Sequence, residues 1–459
     1  MREVRLRDWF WVRSHHAGPV VLDLAWLGRP RLSEVRRVRA WVAHLKRTLV
    51  AVLACLAVGM AANAVSVARA AGGGVVRPAL AAVPYMGWNT YYGVGGVFDQ
   101  RTIIAVARSL INRGLARAGY RIVWLDFGWA SGERDRNGKL IVSRGQWPEG
   151  LRWLTAWLHA RGLLAGIYTD AGSSGCYGHG VGSLHHYQQD ADTFAAWGFD
   201  AVKVDFCGAG QEGLAPKPLY GRFAKALRHN SSHRPLLLSV CNFWVPGQID
   251  GKRPSFVNSS YANALWAPRV AQSWRTDTDI GATGSIEFKN VLRNLDRDAA
   301  HPKAAGPGHW NDPDYLGPQL GMTRAEAQAQ MTMWAIVAAP LILGSDPRKL
   351  SLASIRMLEN SQVIAIDQDP LGVQGTAIRR EGSGQVWVKP LAGGARAVAL
   401  LNRGATSIRV TTNTRAIRIA RAAGYQIQNL WTHATMTTTG EISARVGPHA
   451  AVLFRVAAI

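Results

Sequence analysis

Cysteine is scarce in this sequence: its 459 residues include only 4, with no Cys-x-x-Cys pair and no cluster of metal-ligating residues. A Gly-x-Gly-x-x-Gly phosphate loop is also absent after the first apolar strand. We therefore expect no metal and no other cofactor. Cys55 lies in an N-terminal apolar segment that we expect to be removed. The remaining Cys176, Cys207 and Cys241 suit one disulfide and one buried thiol in an exported protein.

Acidic residues are few, and the net charge is +23 from 53 Lys+Arg against 30 Asp+Glu. Residues 1–70 hold 12 basic and 4 acidic residues, which leaves 41 basic and 26 acidic residues for the rest of the chain. These are scattered arginines without an aromatic–basic motif of the kind that binds RNA or DNA. We interpret the charge as a basic surface and expect no nucleic-acid partner.

The N-terminal segment has the pattern of a secretory signal peptide. A basic start at residues 44–47 precedes the apolar stretch TLVAVLACLAVGMAANAVSVARA, which ends in Ala68-Arg69-Ala70. We predict that residues 1–70 form an N-terminal extension and signal peptide, cleaved after Ala70, and that the protein is secreted. An uncleaved membrane anchor is an alternative, and Val52–Cys55 resembles a lipoprotein cleavage box. Residues 1–42 are too long for an ordinary signal start, so they represent a misassigned start codon or a cytoplasmic extension.

From about residue 84 the sequence alternates short apolar strands with amphipathic helical stretches. This alternation predicts parallel strands, and eight such units predict a (β/α)₈ TIM barrel over residues 84–373. A doubly wound open sheet is the alternative. The eight predicted strands are residues 85–89, 121–126, 163–168, 201–205, 236–240, 271–275, 309–312 and 340–344.

After residue 373 the pattern changes to strict alternation of apolar and polar residues, interrupted by Gly-Gly and Asn-Arg-Gly turns. Period-two alternation with turns predicts antiparallel strands. We therefore predict a C-terminal antiparallel β-sandwich domain over residues 374–459.

The predicted fourth strand, AVKVD, carries two charges, Lys203 and Asp205, on the same face. Burying charge is unfavourable unless the charge is paired or used. In a TIM barrel the active site lies at the carboxyl ends of the strands. Acidic residues stand repeatedly at or after those ends, which predicts a cluster at the barrel mouth. They are Asp126, Asp205, Asp279, Asp312 and Asp314.

These motifs resemble glycoside hydrolase family 27, the retaining α-galactosidases and their relatives. The similarity extends over residues 84–459 in the order of the family's motifs, and it implies a barrel followed by a β-domain. The matching stretches are YMGWNTYY, GIYTDAGSSGC, DAVKVDFC, RTDTDI, GHWNDPDYL, MWAIVAAPLILGSDPR and VIAIDQDPLGVQG.

The resemblance implies a double-displacement mechanism between two carboxylates. Asp205 matches the family's nucleophile, and Lys203 is expected to keep it ionised and to bind sugar hydroxyls. Asp279 matches the acid/base, with Asp277 as the local rival. Arg275 is expected to bind a hydroxyl or a carboxylate.

Other positions are implied as substrate-binding residues or as a disulfide. The substrate-binding set is Tyr91, Asp126, Tyr168, Lys203, Asn242, Arg275 and Asp314, and the implied disulfide joins Cys176 to Cys207. Asp170 and Asp312 are expected to be structural. Two departures from the family pattern bear on specificity: Phe127 replaces the second carboxylate after strand two, and Asn242 replaces a glutamate after strand five.

We therefore expect a secreted α-galactosidase whose partner is a carbohydrate, with membrane association only if the signal segment stays uncleaved. The departures leave open a relative that acts on β-L-arabinopyranosides or on α-glucan ends, as isomaltodextranases do. A carbohydrate-binding protein without catalytic activity is the alternative from another class. The two retained carboxylates, Asp205 and Asp279, favour an enzyme.

Overall fold

The computed structural model describes residues 81–178, 180–242 and 259–459. The predicted signal peptide and its cleavage site lie outside these residues. Among the residues described, no helix has the length and apolar character needed to cross a bilayer.

Eight parallel strands form the first sheet, which confirms the TIM-barrel prediction. Each predicted strand corresponds to an observed one. Their bounds are β1 Met86–Asn89, β2 Ile122–Leu125, β3 Leu164–Asp170, β4 Ala201–Asp205, β5 Leu237–Cys241, β6 Ser273–Arg275, β7 Trp310–Asp312 and β8 Leu341–Leu343. Most of their residues are buried, as expected for strands covered on both faces.

Helices follow the strands and cover the outside of the sheet. The crossover helices are α1 Gln100–Asn112, α2 Leu151–His159, α3 Tyr187–Trp197, α4 Pro216–Arg228, α5 Ser259–Trp266, α6 Phe288–Asp298 and α7 Arg324–Val337, and two more, α8 Leu352–Leu358 and α9 Ser361–Asp367, follow β8. Shorter helical segments are Thr90–Gly93, Leu115–Ala118, Cys176–Gly178, Cys207–Gln211, Ala267–Arg269 and Ala392–Gly394. A small hairpin of Gly281–Ala282 and Ser285–Ile286 lies between β6 and α6.

The strand order is β8-β1-β2-β3-β4-β5-β6-β7. The barrel closes through Leu316, which follows β7 and forms a parallel bridge with Leu343 of β8. The Leu316 amide donates to the Ile342 carbonyl at 2.7 Å, and the Gly344 amide donates to the Leu316 carbonyl at 2.7 Å. Closure brings the carboxyl ends of all eight strands to one mouth.

The C-terminal strands form two antiparallel sheets, which confirms the predicted β-sandwich. The strands are β9 Thr376–Glu381, β10 Gly384–Pro390, β11 Arg396–Asn402, β12 Ile408–Asn413, β13 Tyr425–Asn429, β14 Thr435–Thr438, β15 Glu441–Val446 and β16 Ala450–Ala458. One sheet has the order β9-β10-β11-β16-β13-β14, and the other pairs β12 with β15. The division at residue 373 stays our prediction for the domain boundary.

The larger sheet has two apolar faces. Trp387, Ala399 and Leu453 pack into the barrel's hydrophobic core, whereas neighbouring residues such as Val398 and Phe454 form a second core inside the sandwich. The period-two alternation of the sequence is what supplies these two faces. The β-domain is therefore packed directly onto the barrel.

Lys389 of β10 is fully buried where the larger sheet meets the barrel helices. Its Nζ donates to the carbonyls of Ala335 in α7, at 3.0 Å, and of Asp367 at the end of α9, at 3.3 Å. Both acceptors lie in the last turn of a helix, where the negative end of the helix dipole attracts a cation. Lys389 thus fastens the β-domain to two barrel helices.

Candidate active site

Strand β4 places Lys203 and Asp205 on the inner face of the barrel mouth. Asp205 is in register with Asp170 of β3 on one side and Cys241 of β5 on the other. Because alternate residues of a strand share a face, Lys203 lies directly below Asp205. Both side chains are 8 % exposed.

Lys203 binds two carboxylates rather than one. Its Nζ donates to Asp126 Oδ2 at 2.9 Å and lies 3.5 Å from Asp205 Oδ1. Desolvation lowers the pKa of Lys203, but the carboxylates of Asp126 and Asp205 more than offset it, so that the pKa is raised overall. The two carboxylates thus favour the protonated form of Lys203. The expected pairing with Asp205 is present, but the shorter contact is with Asp126.

Asp126, directly after β2, is held from several directions. Asn89 Nδ2 donates to its Oδ2 at 2.7 Å, and the Phe127 amide donates to its Oδ1 at 2.9 Å. Asn89 also donates to the Tyr315 hydroxyl at 3.1 Å. These contacts fix the carboxylate that anchors Lys203. Asn89 and Tyr315 are not among the site residues predicted from the sequence, although both belong to motifs that carry the family resemblance.

Asp205 itself is held loosely. Its buried Oδ1 has no hydrogen-bond donor closer than 3.5 Å among the described residues, although an interaction with the Cys241 thiol lowers the pKa of Asp205. Its Oδ2 lies 3.2 Å from the Sγ of Cys176, which is bonded to Cys207 and so carries no proton to donate. Burial raises the pKa of Asp205 above the ordinary aspartate range, and the ammonium of Lys203 opposes that rise. Oδ1 thus keeps lone pairs for reaction.

The disulfide between Cys176 and Cys207 confirms the implied pairing, and Cys241 is a buried free thiol, as expected. Next to the disulfide, Asp170 accepts amide hydrogen bonds from Gly172 at 2.7 Å and Ala209 at 3.3 Å. Burial raises the pKa of Asp170 to about 6. Asp170 ties together the loops that follow β3 and β4, which is a structural role.

A second cation, Arg275 at the end of β6, also binds two carboxylates. Its Nη2 lies 2.9 Å from Asp279 Oδ1 and 2.8 Å from Asp314 Oδ2. Desolvation lowers the pKa of Arg275, but Asp314 leads the groups that more than offset it. Arg275 Nη1 also lies 3.8 Å from the Sγ of Cys241.

The two carboxylates bound to Arg275 differ in accessibility. The Asp279 side chain is 30 % exposed, whereas that of Asp314 is fully buried. Asp314 Oδ2 also accepts the Ile280 amide at 2.9 Å and the Tyr92 hydroxyl, and its Oδ1 accepts the Tyr315 amide at 2.8 Å. Asp314, predicted to bind substrate, is therefore placed as a support of Arg275. Asp279 remains available at the mouth.

Asp277, the rival of Asp279, points elsewhere. Its Oδ1 accepts the Thr278 amide at 2.8 Å, and its Oδ2 lies 3.3 Å from Arg293 and 3.6 Å from Arg297 of α6. The Asp277 side chain is 3 % exposed. Asp277 is thus paired with the helix layer, which leaves Asp279 as the carboxylate of this segment that binds Arg275.

Aromatic residues line the side of the site near Lys203. The rings of Tyr91, Tyr168 and Tyr315 have centroids 5.5–5.9 Å from its Nζ. The Phe127 ring packs edge-on against Tyr91 at 5.7 Å and against Tyr168 at 6.5 Å. Phe127 is half-buried, so its ring is part of this aromatic wall and also packs against the hydrophobic core of the barrel.

Asn242 and Asp312 lie deeper than the mouth. Asn242 is fully buried, and its Nδ2 donates to Asn263 at 2.9 Å. Asn263 in turn donates to the Arg275 carbonyl at 2.9 Å, so Asn242 supports β6 from behind. Asp312 accepts the Asp314 amide at 2.9 Å, as a turn residue of an Asp-Pro loop does.

Comparisons with known proteins agree with this arrangement. The family described as "Alpha galactosidase A" matches residues 96–369, and the "Alpha galactosidase C-terminal beta sandwich domain" matches residues 381–456. An α-galactosidase of Oryza sativa subsp. japonica is 35 % identical over 371 residues, which cover 81 % of this chain and 84 % of that protein. An α-galactosidase A of Cellvibrio japonicus is 38 % identical over 331 residues, covering 71 % and 77 % respectively.

The crystal structure of α-galactosidase I from Mortierella vinacea is similar, with a TM-score of 0.73 and 27 % identity; the match covers 83 % of this chain and 98 % of that one. This chain thus matches the family over most of its length. It has the barrel, the β-sandwich and, at the barrel mouth, two cations (Lys203 and Arg275) that each bind two carboxylates. The chain is a glycosidase that belongs to glycoside hydrolase family 27, the α-galactosidase family.

Proposed function

We propose that this protein is a secreted retaining glycosidase that cleaves terminal α-D-galactosyl residues from oligo- or polysaccharides by double displacement. Asp205 is the nucleophile and Asp279 the acid/base. The observation that carries the proposal is the Oδ1 atom of Asp205: a buried carboxylate oxygen without a hydrogen-bond donor, 3.5 Å from the ammonium of Lys203. Leaving a buried charged oxygen without a donor is unfavourable, and attack on an anomeric carbon would use its lone pair.

In the first step, Asp205 Oδ1 forms a bond to the anomeric carbon while the glycosidic carbon–oxygen bond breaks. The protonated carboxyl of Asp279 gives its proton to the departing oxygen. In the second step, the Asp279 carboxylate takes a proton from water, whose oxygen attacks the anomeric carbon and releases Asp205. Two inversions give net retention. The greater exposure of Asp279 suits a group that must meet water.

The two cations, Lys203 and Arg275, support the two catalytic carboxylates and bind the substrate. Lys203, anchored by Asp126, keeps positive charge beside Asp205 and presents donors to sugar hydroxyls together with Tyr91 and Tyr168. Arg275 holds Asp279 near the mouth and donates to the substrate. Asp314 and Asn242 act behind Arg275, so their contribution to binding is indirect.

The test is turnover of a panel of p-nitrophenyl glycosides, combined with proton NMR of the first-formed anomer. Release of α-galactose from the α-galactoside supports the proposal, whereas release of the β-anomer contradicts retention. Asp205→Asn should abolish turnover, and azide should restore it only when a smaller residue, as in Asp205→Gly, makes room for the anion. Near-normal activity of Asp205→Asn would contradict the assignment of the nucleophile.

A second candidate is a β-L-arabinopyranosidase, and the position of Phe127 favours it. An apolar ring in the aromatic wall offers no acceptor for a sugar hydroxyl and occupies space beside the sugar. A pentopyranose, which lacks the hydroxymethyl group of galactose, fits such a wall. Preferential turnover of the β-L-arabinopyranoside in the same panel supports this candidate. Binding without turnover of any glycoside would indicate a carbohydrate-binding protein.

Secretion is part of the proposal and is supported by the signal-like sequence and by the Cys176–Cys207 disulfide, which is typical of oxidising compartments. The expected first residue of the mature chain is Ala71. N-terminal sequencing of secreted protein tests this directly, and material that retains residues 1–42 would contradict it.

A further inference from the structure

Positive charge is concentrated in the C-terminal β-domain. Residues 374–459 contain 11 basic and 2 acidic residues, whereas residues 71–373 contain 30 and 24. The 86 residues 374–459 thus carry a larger excess of positive charge than the 303 residues that precede them.

Some of these basic residues have internal partners. Lys389 is buried against the barrel, and Arg403 lies 2.7 Å from Asp296. Six others are exposed and have no carboxylate within 4.0 Å among the described residues. These six are Arg409, Arg415, Arg418, Arg421, Arg445 and Arg455.

Two of the six face each other directly. Arg409 of β12 is the cross-strand partner of Arg445 of β15. Like charges opposite each other on adjacent strands are destabilising, and Arg409 contacts only a neutral group, Ser443 Oγ at 3.5 Å. The outward face of this two-stranded sheet also presents the half-exposed side chains of Thr411 and Ser443 and, at its far end, the exposed pair Asn413 and Glu441. Glu441 accepts from Ser443 Oγ at 2.9 Å and lies more than 4.0 Å from both arginines. An anionic ligand bound to this face would neutralise both arginines and remove the repulsion between them.

Three more arginines, Arg415, Arg418 and Arg421, lie in the segment that follows β12. Its backbone is fixed, because Ile417 is buried in the sandwich core and Arg396 Nη2 donates to the Arg418 carbonyl at 2.7 Å. Arg418 adopts a left-handed φ of 53°, which is unfavourable for a residue other than glycine. The backbone of this segment is thus fixed while its guanidinium groups are exposed. Binding of a ligand would therefore cost little loop-ordering entropy.

We propose that the outer face of β12–β15 and the adjoining residues 414–424, together called the arginine surface, bind an anionic polysaccharide. Guanidinium groups bind carboxylates and sulfates through paired hydrogen bonds. The arginine surface contains no aromatic side chain on which a nucleic-acid base could stack. The barrel of the same chain is a glycosidase, so a polysaccharide that bears acidic groups would hold the enzyme beside its substrate.

The test measures binding of the full-length chain to polygalacturonate at increasing NaCl concentration. The variant Arg409→Gln/Arg445→Gln removes the opposed pair, and Arg415→Gln/Arg421→Gln removes two charges from the adjoining segment. The matched control, Arg228→Gln/Arg356→Gln, removes two exposed arginines from barrel helices α4 and α8. Between about 50 and 200 mM NaCl, each charge contact with a polyanion should change the affinity by about threefold. Removing two contacts should therefore weaken binding at about 50 mM NaCl by about tenfold and make the salt slope shallower.

Wild-type affinity should persist in the control, and fully methyl-esterified polygalacturonate should not bind. Turnover of a p-nitrophenyl glycoside should be the same in all variants, which separates this proposal from the assignment of the catalytic residues. An equal loss of affinity in the control would show that net charge alone governs binding and would overturn the proposal. Tighter binding to duplex DNA than to polygalacturonate, with the same variant dependence, would replace the polysaccharide by a nucleic acid and also overturn it.

Discussion

Replacing Phe127 with aspartate should convert the aromatic wall into a hydroxyl-binding wall. The residue follows Asp126, whose carboxylate binds Lys203 at 2.9 Å, and its ring packs against Tyr91 and Tyr168. A carboxylate at this position would accept one or two charge-assisted hydrogen bonds from the sugar, worth about 1.5–3 kcal/mol each. At about 1.4 kcal/mol per tenfold change, kcat/KM for α-galactosides should rise by roughly one to two orders of magnitude per bond.

The same change has a structural penalty that must be separated from its effect on binding. Phe127 is half-buried, and Gly96 packs so closely that an added Cβ would lie 2.4 Å from the ring. Losing such a ring costs about 2 kcal/mol, roughly half the loss at a fully buried phenylalanine. Phe127→Leu is the matched control, because it loses the same packing without gaining an acceptor.

The assay compares kcat/KM and Tm of the wild type, Phe127→Asp and Phe127→Leu on the α-galactoside and the β-L-arabinopyranoside. We expect a lower Tm in both variants and a gain on the α-galactoside only in Phe127→Asp. The reasoning would be refuted if the wild type were already highly active on α-galactosides and Phe127→Asp only lowered the stability. In that case Asp126 alone would suffice to hold the sugar on this side.

Three further changes test the other charged groups. Asp279→Asn should slow hydrolysis about 10²–10⁴-fold, with the smallest loss for leaving groups that depart without a proton. Asp277→Asn should instead lower Tm, because it loses ion pairs with α6, and should leave the dependence of the rate on the leaving group unchanged. The Lys203 ammonium lowers the pKa of Asp205, which must be ionised to act as nucleophile. Lys203→Met should therefore shift the acidic limb of the plot of kcat/KM against pH to higher pH. An unchanged limb would contradict this. Lys389→Met should remove the ammonium donor of the buried Asp367 carbonyl, whereas the Ala335 carbonyl keeps the Ala338 amide at 3.4 Å. The free energy of unfolding in urea should therefore fall by about 1–3 kcal/mol, and an unchanged midpoint would show that Lys389 does not fasten the β-domain.

The fold was largely predictable because each barrel strand is a short apolar run between helical stretches. For β2 and β4 the predicted and observed bounds differ by at most one residue at each end. The prediction did not extend to how the barrel closes. Leu316 bridges to β8 from a segment beyond β7, and no local pattern distinguishes such a residue from an ordinary loop leucine. Pairing of this kind depends on tertiary contacts rather than on propensity.

The candidate site was predictable in its members but not in their pairing. Strand parity placed Lys203 beside Asp205, because alternate residues share a face. It could not show that Asp126 lies closer to Lys203 than Asp205 does, since that contact joins strands 77 residues apart. Nor could composition separate Asp277 from Asp279. That distinction depends on two arginines of α6 that bind Asp277 and leave Asp279 at the mouth.

A common arrangement emerges from the two cations. Lys203 is anchored by Asp126, and Arg275 by Asp314, in each case a buried carboxylate that accepts further hydrogen bonds. Each cation then contacts a second carboxylate that is less constrained: Asp205 through a longer contact, and Asp279 at a partly exposed position. An anchored cation stays in place when its second partner changes charge. Asp205, as the nucleophile, becomes an ester during the reaction, and Asp279, as the acid/base, alternates between acid and conjugate base. Both residues need neighbouring cations that stay in place through these changes of charge.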